Sequence, residues 1–109
     1  MFEVEVSNGF IISSRGAVLV GRVRKGRVQV GDSGVLKTPQ LAVPTHIAGI
    51  EVFQKILDIA GEGEEAGFFC LSISPQHLAG CWTGEGEKKR LLNVILTSAP
   101  RRWWEFWRG

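Results

Sequence analysis

The sequence predicts an all-β fold, a closed antiparallel β-barrel, on three observations. Phe2, Val4 and Val6 alternate with Glu3 and Glu5 at the period of two that marks a half-buried strand. Turn signals containing glycine recur at short intervals between apolar runs. Residues 17–23 form a β-branched, apolar run broken only by Gly21 and Arg22. A small all-β domain gains from closure because a closed sheet has no exposed edge.

The elements follow in order. Residues 2–6 read as a strand, and Ser7, Asn8 and Gly9 as a turn. Phe10, Ile11 and Ile12 read as a short strand, and residues 17–23 as a longer one in which Gly21 marks a bulge or a close backbone approach. Arg24, Lys25, Gly26 and Arg27 suggest a hairpin turn, with Gly26 supplying a positive φ. The chain then returns through Val28–Val30 to Gly31 and Asp32. Residues 34–37 are a further strand, 38–44 with two prolines a loop, and 45–53 an aliphatic strand. Residues 61–67 are a glycine- and glutamate-rich loop, 68–74 a strongly apolar strand, and Ser74–His77 a short turn. Residues 80–82 suit a last short strand. Residues 88–98 fit a helix or a strand equally, and Pro100 breaks what precedes it. The boundaries are therefore a barrel at 1–84, then a linker and Trp/Arg-rich tail at 85–109, helical or extended. Alternation nominates Phe10, Ile12, Val18, Val23, Val28, Val30, Ile50 and Phe69 for the core.

Composition narrows the function classes. The chain has 109 residues, 44% apolar and 22% charged, with a net charge of +2, which fits one globular domain and does not by itself imply nucleic acid. Locally, Arg15, Arg22, Arg24, Lys25 and Arg27 form a candidate basic patch, and an acidic stretch follows at 51–65. Cys70 and Cys81 make no CxxC pair, and His46 and His77 stand apart, so neither a metal site nor a cofactor is expected. No phosphate-binding Gly-x-x-x-x-Gly-Lys-Ser/Thr is present, so GTP binding is not expected. Asp58-Ile59-Ala60-Gly61 matches Asp-x-x-Gly by letter alone. No nucleophile–base or paired-carboxylate constellation stands out, which argues against an enzyme. The acidic start and the lack of an apolar run of ~18 residues point to a cytoplasmic protein rather than a membrane one. Trp103, Trp104 and Trp107 in the tail are a candidate interface for a protein partner or a second copy.

From Ser14-Arg15-Gly16-Ala17-Val18-Leu19-Val20-Gly21-Arg22-Val23 the chain resembles the second, β-barrel domain of elongation factor Tu and related translational GTPases. The similarity continues through Lys25-Gly26 and Val28-Gln29-Val30-Gly31-Asp32. It resumes at residues 48–58, similar to the family's Gly-Val-Glu-Met-Phe-Arg-Lys segment, and runs through 63–69 to fade near Trp82. The resemblance implies a Greek-key barrel standing free of its GTPase. It also implies a pocket for the terminal adenosine of an RNA, formed by Ile12, Val18, Glu51 and Phe69. The family's arginine three residues after that glutamate is Gln54 here, and Ala17 and Val20 replace hydroxyl-bearing positions. Two function classes stay open: an RNA- or ribosome-associated binding module, and a protein-interaction or self-association module that has lost the RNA role.

Overall fold

The computed structural model describes residues 1–13 and 15–99. Its strands are β1 (Phe2–Ser13), β2 (Gly16–Gln29), β3 (Ser33–Lys37), β4 (Ala42–Val52), β5 (Lys55–Leu57), β6 (Ile59–Gly61), β7 (Glu65–Leu71), β8 (Trp82–Thr83), β9 (Arg90–Leu91) and β10 (Val94–Ser98). Of the described residues 65% are strand and 7% helical, which places the chain in the all-β class. Six strands close an antiparallel barrel in the order β1-β10-β3-β4-β7-β2, with β2 returning to β1. Consecutive β2 and β3 are not neighbours in this order, so the chain crosses the barrel between them.

Alternation sets what is buried. On β1, Phe2, Val4 and Val6 point inward; on β2, Ala17, Leu19 and Val23 do; on β7, Ala66, Phe68 and Cys70 do. With Leu36, Ile47, Ile50, Val94 and Leu96 they make one apolar cluster. Among the described residues Thr45 is the buried polar side chain, and its hydroxyl donates to the Leu71 carbonyl at 2.6 Å. A buried hydroxyl without a partner would cost about 1–3 kcal/mol.

The structure corrects several expectations. Residues 7–9 are not a turn but part of β1, with a bulge between Val6 and Asn8. A side chain at Gly9 would meet Leu19, Leu78 and Leu91 at 3.2 to 3.5 Å, so that glycine serves packing. Residues 24–27 are not a hairpin turn. Gly26 does have a positive φ, of 70°, but β2 runs on through it. Its pairing passes from β1, whose first residue Phe2 lies opposite Gly26, to β6, which pairs with Arg27, Val28 and Gln29. A Cβ at Gly26 would strike the Met1 carbonyl oxygen.

The barrel also extends past residue 84. β10 lies between β1 and β3, pairing Val4 with Leu96 and Leu36 with Leu96, and so closes the sheet. Of the nominated core, Val23, Val28 and Ile50 are buried. Phe10, Ile12 and Val30 are exposed, and Val18 and Phe69 are half-buried on the outer face. The expected tail from residue 100 onward lies outside the described residues.

Candidate binding cleft

Register builds a hollow on the outer face of β2, β7 and β4. Val18 pairs with Phe69 and Val20 with Gly67 across β2 and β7. On the other side of β7, Phe69 pairs with Gly49 and Gly67 with Glu51. Phe69 and Gly67 therefore sit in the middle of the floor. The two glycines keep it concave: a Cβ on Gly67 would come within 3.1 Å of a Val18 methyl, and one on Gly49 within 3.7 Å of the Phe69 Cβ. Ile12 from β1 forms one wall, and Phe53 and Ile56 from the β4–β5 hairpin form another. The cleft has a volume of about 550 Å³ and walls that are mostly apolar.

Ile12, Val18, Glu51 and Phe69 come from four strands, and all four line this cleft. Sequence reasoning missed Val20, Gly67, Phe53 and Ile56. The first two share the cleft face of Val18 and Phe69 at a spacing of two, a signal readable once the phase of either strand is known. Phe53 and Ile56 carried no local signal. They project because β4 turns back on itself through a two-residue loop, with Val52 pairing Lys55 and with φ of 47° at Phe53 and 67° at Gln54. Phe53 is 97% exposed, Ile56 86% and Ile12 61%, so the rim is an apolar patch open to solvent.

The charges around the cleft are sparse. Among the described residues lining it, Glu51 is the sole ionisable one. Glu65 lines a shallower hollow next to it, together with Val20, Glu51, Val52 and Phe53. No lysine or arginine among the described residues lines either hollow.

The residues of the candidate basic patch are spread along β2 and just before it, and two of them face carboxylates. Arg22 meets Glu65 at 3.4 Å and Arg24 meets Glu5 at 3.1 Å, so both face carboxylates on neighbouring strands. Those pairs are more than half exposed and worth about 0–1 kcal/mol each. Arg15 precedes β2, while Arg27 lines a polar hollow near the other end of that strand with Gln29 and Asp32. Lys25 is exposed. Trp103, Trp104 and Trp107 lie outside the described residues.

The histidines have local structural partners. His46 Nδ1 lies 3.2 Å from Ser33 Oγ, and His77 Nδ1 accepts from the Ser74 amide at 3.1 Å. Among the described residues, no group of three or more His, Cys, Asp or Glu side chains is placed to hold a metal ion. Among them, too, no helix is long and apolar enough to cross a membrane. Cys70 and Cys81 are both buried free thiols, and burial pushes Cys70 up to about 12.

No known family profile matches the sequence. The fold is similar to that of two crystal structures of translation elongation factor SelB from Methanococcus maripaludis, one in the apo form and one in complex with the GTP analogue GppNHp. Each aligns with a TM-score of 0.68 and 25% sequence identity, over 89% of this chain and 18% of that one. This chain thus spans under a fifth of the length of the factor it resembles. The described barrel is of the type found as the second domain of elongation factor Tu and related translational GTPases.

Proposed function

We propose that this chain is a non-catalytic binding module of translation-factor type, and that its cleft takes up an apolar side chain of a protein partner. The observation that carries the reading is the chemistry of the cleft. Three exposed apolar side chains, Ile12, Phe53 and Ile56, surround an apolar floor, and among the described lining residues Glu51 alone bears charge. An exposed, contiguous apolar rim around a preformed hollow is the usual character of a protein-docking surface. RNA affinity comes mainly from cations placed against phosphates. Here Gln54 stands where the family has arginine, and Arg22 and Arg24 face carboxylates.

A second reading has its own support. The four positions that the resemblance assigns to a terminal adenosine meet in one cleft, with Glu51 available to accept hydrogen bonds from a base. One stacked base contributes about 1–3 kcal/mol, so a CCA-ended RNA is expected to bind more weakly than ~100 μM. Two measurements separate the readings. The first is anisotropy of a labelled CCA-ended oligonucleotide. Micromolar affinity, steep in salt and abolished by Glu51→Ala, would replace the protein reading with the RNA one. The second is photo-crosslinking in the native cell from an aryl ketone side chain installed at Phe53. Protein adducts that vanish with Phe69→Asp are expected, and predominant RNA adducts would refute the protein reading.

A further inference from the structure

The cleft continues into a second hollow, and the pair of them describes the partner that fits. We propose that this partner is an extended segment with an apolar side chain at one position and an arginine or lysine two residues away. The apolar side chain enters the cleft, and the cation lies between Glu51 and Glu65. The inference rests on the reading of the cleft as a site for apolar protein side chains and names the chemistry of what binds there.

Three observations carry it. The first is continuity. The shallower hollow has a volume of about 300 Å³ and shares Val20, Glu51, Phe53 and Gly67 with the cleft, so one ligand can occupy both. The second is charge. Glu51 on β4 and Glu65 on β7 both line this hollow. Glu51 has no hydrogen-bond or ion-pair partner among the described residues. Arg22 Nη2 meets Glu65 Oε2 at 3.4 Å, with both side chains more than half exposed. Two carboxylates against one guanidinium leave a net negative charge beside an apolar cleft. A phosphate is repelled there and a cation attracted, and arginine matches a carboxylate through paired N–H donors.

The third is spacing. Glu65, Gly67 and Phe69 follow one another at intervals of two along β7 and so share its outer face. The cleft lies over Gly67 and Phe69, and the hollow over Glu65 and Gly67. The hollow is therefore displaced from the cleft by one such interval, roughly 7 Å at ~3.3 Å per residue. An extended segment laid along β7 presents every second side chain on one face at the same interval. Adjacent side chains project to opposite faces, so a cation next to the apolar anchor points away from the hollow.

The test titrates the isotope-labelled full chain with capped peptides and follows the backbone amide signals of Gly49, Glu65 and Gly67 by NMR. Two probes are acetyl-Ala-Phe-Ala-Arg-Ala-amide and the same peptide with Phe and Arg exchanged; the tighter of them sets the direction along β7. Two controls in that direction replace Arg by Ala or move it next to Phe. The expected result is that the tighter probe shifts all three signals and binds roughly two- to fivefold better than either control, the range for one exposed ion pair. That advantage should vanish in the double variant E51Q/E65Q and shrink in high salt. Controls that bind as tightly as the probe, or an advantage that survives in E51Q/E65Q, would overturn the role of the acidic hollow. Signals unmoved by every peptide at millimolar concentration would overturn the proposal outright. The reading of the cleft itself is judged separately, by the cellular adducts from Phe53.

Discussion

The β4–β5 hairpin yields a prediction in which stability and binding move in opposite directions. Phe53 and Gln54 form a two-residue loop with φ of 47° and 67°, the left-handed region that asparagine and glycine occupy at little cost. An ordinary L-residue there costs roughly 1–2 kcal/mol. Phe53 recovers none of this through burial in the isolated chain, because it is 97% exposed. Replacing the pair by Asn-Gly should relieve part of the strain at both positions. The added backbone freedom of glycine in the unfolded chain takes back about 0.5–1 kcal/mol. The net gain expected for F53N/Q54G is therefore about 1 kcal/mol, or a rise in Tm of roughly 5 °C for a domain of this size. Urea unfolding read by far-UV circular dichroism measures it through the midpoint at constant slope. The same variant removes Phe53 from the cleft rim, so partner binding should weaken. A midpoint that falls or stays put would refute the strain argument. Unchanged binding with raised stability would show that the loop is strained for no reason tied to the cleft.

Two further predictions test the interior. Phe68 is fully buried and its neighbour Phe69 faces the cleft. Phe68→Ala should cost about 3–5 kcal/mol, and Phe69→Ala about 1 kcal/mol or less, by urea melts; equal costs would contradict the register of β7. Burial raises the Cys70 thiol from about 9 to about 12, an effect only partly offset by the hydrogen bond with Thr45. Between those values the unfolded chain has lost a proton that the folded chain still holds. Stability is therefore constant with respect to this group below pH 9 and falls as pH rises above it, by up to about 1.4 kcal/mol per unit. Cys70→Ala should flatten that decline in unfolding curves taken between pH 8 and 11.

The fold class was legible because its strongest signals are local. Alternation at residues 2–6 and the β-branched run of β2 need no knowledge of partners. The closing strand was not legible. In β10, Val94, Ile95 and Leu96 are all apolar, so no period shows, and its partners β1 and β3 lie far away in sequence. The glycines misled for a related reason. A glycine marks a backbone need without saying which one. Gly9 answers to side chains packed over it, and Gly26 to the Met1 carbonyl where β2 changes partners. Neither reverses the chain. The core list erred by one residue of phase on β7, where Phe68 and Phe69 are equally apolar and alternation alone cannot choose between them.

The cleft was legible in its walls and not in its electrostatics, and the difference has a physical basis. Which residues line an outer face follows from strand phase and pairing, which alternation misjudged for Ile12, Val18 and Phe69; the family resemblance supplied these three and Glu51 by position alone. What a charge does depends on what lies across from it. Arg22 finds Glu65, 43 residues away, only because β2 and β7 are neighbours in register. A run of cations on paper was thereby divided among two ion pairs and opposite ends of one long strand. The same register brings Gly67 against Val18 and Glu51, opening an apolar hollow on the outside of a barrel whose inside is already full. An outward hollow of this kind contributes nothing to the core, and the strained Phe53–Gln54 loop beside it costs stability. Their occurrence together is what supports the proposed reading of this surface as a binding site rather than a product of folding alone.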